Sequence, residues 1–195
     1  MEQQTEAWRN ERLGLITGTR FAAIVGAGKT RDDLIRDLAW ERYTGKYIER
    51  GFVTDAMQRG IDLEPEARDW YRFDSGNDVV EHGFIVHPEL PFVGVSPDGL
   101  IGDDGLVEIK CPGHRAHIET LERRKVPSQY RWQVQGQLWV TGRKWLDFVS
   151  YHPEHDGIII RVEPSEDDHE KLKAACIAAN EEIESIVQLL RNGNG

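Results

Sequence analysis

The chain has 195 residues, of which 39% are hydrophobic and 30% charged, and its formal net charge is −10 at pH 7. This length suits one domain with a substantial core, and no apolar run is long enough to cross a bilayer, so we expect no membrane span. Two cysteines are too few for an iron–sulfur cluster, which needs four ligands. The small number of cysteines also predicts a reduced cytoplasmic protein. The polar, acidic N-terminus, which is unlike a signal peptide, agrees with that location.

In the N-terminal part, the spacing of the apolar residues predicts two helices, at 32–43 and 55–73. Gly45 follows the first, at the position where glycine commonly ends a helix. Pro65 lies inside the second, where a proline costs about 3 kcal/mol unless the helix kinks or begins there. The interruption falls directly beside Glu64, which suggests that the local geometry around this acid matters.

The rest of the chain alternates between strand-like and helix-like segments, separated by Pro and Gly turns. Ser165 and Asp168 are spaced like a capping box at the start of the last helix. We therefore expect a single domain over residues 1–195 with an α/β fold, in which helices flank a central mixed, largely antiparallel sheet. The predicted strands are 79–86, 92–95, 106–109 and a hairpin of 145–151 with 157–162; the predicted helices are 113–124, 128–140 and about 165–191.

Two carboxylates and a lysine, Asp98, Glu108 and Lys110, lie at the edges of two short apolar strands. Side chains alternate along a strand, so Glu108 and Lys110 point the same way with Ile109 packed behind them. A hairpin that returns from Asp98 would bring its carboxylate beside Glu108. Two oxygen donors and an ammonium suit Mg²⁺ or Mn²⁺ and an activated water, which predicts phosphodiester hydrolysis. The alternative is an ordinary half-exposed strand with an ion pair.

The net negative charge at first argues against a nucleic-acid partner, because phosphate binding requires Lys and Arg. The distribution of the charge weakens that argument. Between 163 and 184 there are eight acidic residues and two lysines, whereas between 111 and 131 there are five basic residues and two acidic ones. The acidic excess therefore lies in a C-terminal segment, and the basic excess directly follows the two carboxylates and the lysine.

Three further groups of residues are candidates for the same site. Glu64 is an acid inside a predicted helix, and Gln133 and Gln137 lie one helical turn apart, so that they share a face. Arg12 with Thr19 and nearby glycines resembles a phosphate cradle. Each has a structural alternative: a solvated acidic helix face, surface glutamines on an amphipathic helix, and a capped helix start.

The order of these pieces resembles the phage lambda exonuclease, or YqaJ-like viral recombinase, family, which uses a Pro-Asp…(Asp/Glu)-x-Lys nuclease motif. The resemblance runs from about Trp8 to about Tyr151. It is carried by Trp8…Arg12-Leu13-Gly14…Ile16-Thr17, Gly60…Glu64, Ser96-Pro97-Asp98-Gly99, Glu108-Ile109-Lys110-Cys111-Pro112 and Gln133-Val134-Gln135…Trp139-Val140-Thr141.

The resemblance implies a restriction-endonuclease-like core and a Mg²⁺-dependent exonuclease that digests linear double-stranded DNA from 5′ to 3′. It implies two Mg²⁺ ions per site, with Mn²⁺ as a possible substitute. The product would be a 3′ single strand that a phage single-strand annealing protein takes up for recombination. The resemblance also implies a ring-shaped homotrimer around the DNA and a phage or prophage gene expressed in the cytoplasm of a bacterial host.

By matching position, the resemblance assigns the metal to Asp98, Glu108, Glu64 and the backbone carbonyl of Ile109, and it implies that Lys110 orients or activates the attacking water. Gln133 would steady the site. Contacts to the 5′-phosphate or DNA would come from Arg12, Thr19, Ser96, Gln135, Arg123 and Arg124. Thr19 stands where the lambda member of the family has a serine, so the hydroxyl is kept.

Two other functions fit the same motif. A sequence-specific endonuclease with Pro-Asp…Glu-x-Lys would cut closed circular DNA, which an end-dependent exonuclease leaves intact. A non-catalytic module that binds DNA ends would bind DNA without a divalent metal and would cut nothing. The joint presence of Asp98, Glu108 and Lys110 favours the enzymes, because a scaffold does not need all three.

Overall fold

The computed structural model describes residues 5–48 and 54–193. Side-chain hydroxyls start three of its helices, since Thr5, Thr54 and Ser165 each accept a hydrogen bond from the backbone N–H three residues further on. Gly45 and Gly76 end two helices in the left-handed conformation, with φ of 65° and 69°. The α-helices are α1 (Glu6–Arg12), α2 (Phe21–Val25), α3 (Lys29–Thr44), α4 (Asp55–Ser75), α5 (His114–Arg123), α6 (Arg131–Thr141) and α7 (Glu166–Asn192).

The strands form two sheets, one of three strands in the order β1-β3-β2 and one of four in the order β4-β5-β6-β7. The pairs β1–β3 and β5–β6 are parallel, and the other pairs are antiparallel, which agrees with the predicted mixed, largely antiparallel arrangement. The strands are β1 (Ile16–Thr17), β2 (Ile85–Val86), β3 (Val93–Val95), β4 (Gly99–Ile101), β5 (Gly105–Lys110), β6 (Trp145–His152) and β7 (His155–Val162).

The predicted helices are confirmed, with small shifts at their ends. Helix α4 runs without interruption through Pro65, so the helix does not begin again there. The segment predicted as one helix from 128 begins as a 3-10 turn, Ser128–Tyr130, that leads into α6. At the start of α7 the Ser165 hydroxyl accepts from the N–H of Asp168, but the Asp168 carboxylate binds Arg131 instead of completing a capping box.

One strand prediction is wrong, and two short strands, β1 and β4, were missed. Of the predicted strand 79–86, only β2 is strand, and Val80 forms an isolated bridge to Leu100. The intervening Glu81, His82 and Gly83 leave no apolar alternation to pair with a neighbour. Strand β4 has only three residues, which is too short for periodicity to reveal, although it forms the predicted hairpin that returns from Asp98.

Each face of the four-stranded sheet buries a different helix. On one face, Val107 and Ile109 of β5 pack with Ala67 and Tyr71 of α4. On the other face, Leu106 and Phe148 pack with Val134 and Leu138 of α6. A further cluster joins β1 and β3 to α2, α3 and the apolar stripe of α7. Strand β5 is therefore held rigidly from both sides. Within the described ranges, no helix has the length and apolar character needed to cross a membrane.

Candidate active site

The hairpin of β4 and β5 places Asp98 beside the end of β5. Gly99 pairs with Val107 in the antiparallel ladder, and the N–H of Ile109 donates to Asp98 Oδ2 at 2.6 Å. A side chain at position 99 would collide with the protein, because its Cβ would lie 2.2 Å from Val79 Cγ1. Gly99 thus allows the chain to turn closely enough to hold Asp98 in place.

Glu108 and Lys110 project from the same face of β5, as the strand period predicts. Lys110 Nζ donates to Glu108 Oε1 at 2.5 Å, and Ile109 packs on the opposite face. Glu108 is only 1% exposed, whereas the Lys110 side chain is 25% exposed at the cleft. Lys110 also lies over the ring of Tyr130, with Nζ 5.3 Å from the ring centroid. The carboxylate is therefore fixed in the wall, and the ammonium is the part that a ligand can reach.

Two glutamines of α6 hold the Glu108 carboxylate. Gln133 Nε2 donates to Glu108 Oε1 at 2.6 Å, and Gln137 Nε2 donates to Glu108 Oε2 at 2.6 Å. Their spacing of one helical turn puts both amides on the face of α6 that packs against β5. The prediction that the pair shares a face is confirmed, and the surface-glutamine alternative is wrong for Gln137, which is 1% exposed.

The electrostatics of this cluster favour a bound cation. Burial raises the pKa of Asp98 well above its usual range, and the nearby charges of Glu108 and Glu64 raise it further. Burial opposes the charge of Lys110, but Glu108 and Asp98 raise its pKa above the usual lysine value. One ammonium thus lies among several carboxylates, and Lys110 remains protonated at neutral pH.

Glu64 lies on α4 at a second part of the same cleft. Arg68 Nη2 donates to Glu64 Oε1 at 2.5 Å, and the other end of the guanidinium binds Glu81 at 2.6 Å. Burial raises the pKa of Glu64, and Arg68 opposes that rise. Among the described residues, no three His, Cys, Asp or Glu side chains are grouped as a metal cage, so Glu64 is not assembled with Asp98 and Glu108 into one.

The donor set at β5 nevertheless fits a small divalent cation. Mg²⁺ is commonly bound through one or two carboxylates and keeps several waters, so Asp98 and Glu108 suffice. The N–H and C=O of a strand residue lie on the same edge of the strand, and the N–H of Ile109 points to Asp98. The Ile109 carbonyl therefore lies on the edge next to Asp98. Of the predicted ligands Asp98, Glu108, Glu64 and this carbonyl, Glu64 is the one that lies in the adjoining part of the cleft.

Arg12 faces the same cleft, which has a volume of about 410 Å³ on this side. Its guanidinium carbon lies 4.0 Å from the ring centroid of Trp8 and 4.7 Å from that of Phe84. It donates to the Trp8 carbonyl at 2.8 Å and to the hydroxyl of Ser96. Arg12 is 6% exposed, and burial lowers the pKa of its guanidinium. Thr19 lines this part of the cleft too.

The structure brings most of the predicted residues to this cleft: Arg12, Thr19, Ser96, Asp98, Glu108, Lys110 and Gln133 line one part, and Glu64 lines the adjoining part. Sequence reasoning missed Trp8 and Phe84 as the walls around Arg12, and Arg68 as the partner of Glu64. Trp8 with Arg12, and Glu64 with Arg68, are spaced one helical turn apart, so this signal was available in the sequence.

Three residues assigned to DNA by resemblance lie elsewhere. Gln135 is 6% exposed; its Nε2 donates to the Glu163 carbonyl at 2.9 Å and its Oε1 accepts from the N–H of Ser165 at 2.9 Å. These bonds fix the start of α7. Arg123 and Arg124 lie exposed at the C-terminal end of α5, where Arg123 pairs with Glu119.

The chain is similar to a known protein family and to solved exonuclease structures. The family model described as "YqaJ-like viral recombinase domain" matches residues 7–144. An alkaline exonuclease (LHK-Exo) from Laribacter hongkongensis is 36% identical, with a TM-score of 0.92 over 97% of this chain and 98% of that chain. Its crystal structure in complex with dAMP gives a TM-score of 0.91 at the same identity and coverage.

Two further proteins are less similar in sequence. A phage-related exonuclease from Haemophilus somnus 129PT is 13% identical, with a TM-score of 0.74 over 90% of this chain and 96% of that chain, which shows likeness of fold alone. The uncharacterized protein R354 of Acanthamoeba polyphaga mimivirus is 26% identical over 161 residues. That alignment covers 76% of this chain but only 29% of the mimivirus protein.

Proposed function

The chain belongs to the YqaJ-like viral recombinase family, and we propose that it is a divalent-metal-dependent exonuclease acting on the ends of double-stranded DNA. Membership confirms the resemblance, and the match to the Laribacter enzyme confirms the restriction-endonuclease-like fold. The proposed direction of digestion is 5′ to 3′, and the 3′ single strand that remains would enter recombination by strand annealing. Whole-length likeness to an alkaline exonuclease at 36% identity supports the nuclease activity.

The observation that carries the proposal is the meeting of Asp98, Glu108 and Lys110 on one wall of a cleft that also contains Arg12 and Ser96. A purely structural ion-pair patch would balance its charges. Here the carboxylates outnumber the ammonium, and the resulting repulsion and burial raise the pKa of Asp98. Such an arrangement costs folding free energy that a bound cation recovers.

Asp98, Glu108 and the Ile109 carbonyl would hold the divalent cation, with Mg²⁺ as the proposed ion and Mn²⁺ as a substitute. When bound, such a cation would lower the pKa of a coordinated water and offset charge on the phosphate. Glu64 is the proposed contact, through water, to a second cation. Gln133 orients Glu108, and Lys110, which stays protonated, stabilises the negative charge that develops on the phosphate during cleavage.

Arg12, Ser96 and Thr19 are the proposed receptor for the 5′-phosphate of the DNA end. The Arg12 guanidinium contacts the rings of Trp8 and Phe84, which hold its charge in place at the cleft. The Ser96 hydroxyl bonds to Arg12 and stands next to Pro97 and Asp98, which links phosphate binding to the metal donors. The Laribacter relative binds dAMP, a nucleoside 5′-monophosphate, and digestion from a 5′ end releases products of this kind.

We also propose how the chain assembles and which protein it works with. A homotrimeric ring around the duplex would supply processivity by topology, so each protomer would need few basic residues. The acidic face of α7 would then lie outward and repel DNA. Part of that acidity is already paired within the chain, since Glu182 binds Arg31 and Glu184 binds Arg42. The proposed partner is a phage annealing protein, in the cytoplasm of a bacterium that carries the phage or prophage gene.

A gel assay with Mg²⁺ tests the proposal on linear duplex with 5′-phosphate ends, linear duplex with 5′-hydroxyl ends and closed circular plasmid. We expect progressive loss of the phosphorylated linear DNA, sparing of the circle, and no digestion in EDTA or by Asp98→Asn. Cutting of the circle would assign the protein to the endonucleases instead. Binding of DNA ends without any cutting would leave a non-catalytic end-binding module.

A further inference from the structure

Gln137 is a buried amide in the cleft wall whose orientation is set by its neighbours. Its Nε2 donates to Glu108 Oε2 at 2.6 Å and lies 3.5 Å from the Ser96 carbonyl oxygen. Both neighbours are acceptors, so the nitrogen must face them and Oε1 must point away. Among the residues the structure describes, Oε1 finds no hydrogen-bond partner although it is buried. An unsatisfied buried acceptor costs about 1–3 kcal/mol, so this glutamine is an expensive choice for packing alone.

The hydrogen bonds of Glu108 leave little of its carboxylate free. A carboxylate offers about four lone-pair positions, two on each oxygen. Oε1 accepts from Lys110 and from Gln133, and Oε2 accepts from Gln137. Within the described part of the chain, one position therefore remains, and it is on Oε2. A cation that binds Glu108 without displacing a donor must use that position.

We propose that Gln137 is a positioning residue that fixes the plane of the Glu108 carboxylate and leaves one Oε2 lone pair for the divalent cation. A neutral amide suits this role, because it orients the carboxylate without neutralising the charge that attracts the cation. Lys or Arg at position 137 would compete with the cation for the same oxygen. The inference rests on the metal dependence of the proposed function.

Gln135 provides a matched control on the same helix. It is also a buried glutamine of α6, but its amide bonds at both ends, to Glu163 and Ser165 at the start of α7. Replacing either glutamine by methionine keeps a similar length and removes the amide. Both variants lose hydrogen bonds inside the protein, and only Gln137→Met changes the surroundings of Glu108.

Isothermal titration calorimetry with Mn²⁺, on the full chain and without DNA, measures the effect directly. We expect Gln137→Met to weaken Mn²⁺ binding about tenfold or more, the lower end of the effect of losing a partner of a metal ligand. The Mn²⁺ affinity of Gln135→Met should lie within about twofold of that of the unmodified chain, which is less than the effect of losing a partner of a metal ligand. Thermal unfolding in EDTA reports the folding cost of each variant separately. If Gln137 acts through affinity, a large excess of Mn²⁺ restores cleavage by Gln137→Met.

Equal Mn²⁺ affinity of Gln137→Met and the unmodified chain would overturn the inference while leaving the proposed function intact. Equal weakening by Gln135→Met would also overturn it, since the effect would then follow from a loosened α6. Failure of the unmodified chain to bind Mn²⁺ at all would overturn both the inference and the metal dependence of the proposed function.

Discussion

The four-stranded sheet buries one carboxylate on each face, and the two are held in opposite ways. On the α4 face, Asp147 is 2% exposed and accepts two bonds from Arg161 at 2.9 Å and one from the Tyr71 hydroxyl at 2.7 Å. On the α6 face, Glu108 is 1% exposed and is held by two neutral amides and by Lys110, which it shares electrostatically with Asp98.

The difference separates a structural carboxylate from a functional one. Asp147 has a guanidinium to itself, in the two-bond geometry that best compensates a buried charge. The carboxylates of the cleft have oriented donors but too little positive charge, and the pKa of Asp98 is raised as a result. A buried carboxylate therefore does not by itself indicate a functional site. A buried carboxylate that lacks a positive side chain to balance its charge does.

Asp98→Asn should have the largest effect on activity and a small or favourable effect on stability. It removes a proposed cation ligand, and we expect cleavage of linear DNA to fall by about 10³-fold or more, as for loss of a major electrostatic element. The asparagine oxygen can still accept from the N–H of Ile109. The melting temperature of the Asp98→Asn variant in EDTA should equal or exceed that of the unmodified chain. A strongly destabilised variant would mean that Asp98 is structural, as Asp147 is.

Lys110→Met should separate cation binding from cleavage. The ammonium is expected to stabilise charge on the phosphate, so its loss should slow cleavage by about 10²–10³-fold. Binding of Mn²⁺ should persist or tighten, because Lys110 no longer occupies Glu108 Oε1. Calorimetry and initial rates at saturating Mn²⁺ measure the two effects. Unchanged cleavage would remove Lys110 from the mechanism.

On the other face, Arg161→Met should lower stability and leave the cleft chemistry alone. Of its hydrogen-bond donors among the described residues, Asp147 would keep the Tyr71 hydroxyl. We expect a loss of about 2 kcal/mol in unfolding free energy, reduced from the fully buried case because Arg161 is 53% exposed. Lys144→Met, which breaks an exposed pair with Asp104, should cost less than about 1 kcal/mol. Urea unfolding compares the two variants, and equal losses would contradict the contrast between the faces.

The pH dependence of stability should depend on whether a cation is present. Burial raises the pKa of Asp98 and of Glu64, so the folded chain holds protons that the unfolded chain releases above about pH 4. The stability from this source is complete at lower pH and is lost as the pH rises through the folded-state values. The slope is up to about 1.4 kcal/mol per pH unit for each proton.

A bound cation favours the deprotonated carboxylates, so the stabilisation by Mg²⁺ should grow over the same pH range. Melting temperatures in EDTA and in Mg²⁺, measured from pH 5 to 9, test both directions. In Asp98→Asn the pH dependence of the gap between the two curves should be clearly reduced, with Glu64 as its remaining source. A gap that is already constant in the unmodified chain would show that Asp98 does not couple cation binding to protonation.

Periodicity predicted the parts of the site that lie on one element. The alternation of a strand placed Glu108 with Lys110, and the helical turn placed Gln133 with Gln137. Gln135 was assigned by resemblance alone, although two residues along a helix turn the side chain by about 200°, away from Gln133. The contrast between Glu108 and Asp147 depends on long-range pairing between elements, which one sequence does not reveal. The short β4 was beyond periodicity for lack of length, and the segment 79–86 is broken where Glu81, His82 and Gly83 interrupt the apolar alternation.

Arg12→Ala should give the smallest effect on activity. Arg12 and Arg161 differ in their surroundings much as Glu108 and Asp147 do. Arg161 and Arg12 both stack on a tryptophan, at 3.9 Å from Trp145 and 4.0 Å from Trp8. Arg161 is neutralised by Asp147 through two hydrogen bonds, whereas the ion pair of Arg12 with Glu11 is longer, at 3.6 Å, and Glu11 is 38% exposed. The charge of Arg12 therefore remains available to an anion from outside the chain.

We expect Arg12→Ala to slow digestion of 5′-phosphorylated ends about tenfold, which corresponds to about 1.4 kcal/mol. The variant should digest 5′-hydroxyl ends at nearly the rate at which the unmodified chain digests them, because these ends lack the charge that Arg12 would bind. Initial rates on the two substrates give the ratio directly, and Arg12→Lys, which keeps a charge but cannot fork between Trp8 and Ser96, should fall between. Equal slowing on both ends would mean that Arg12, like Arg161, serves the fold and not the phosphate.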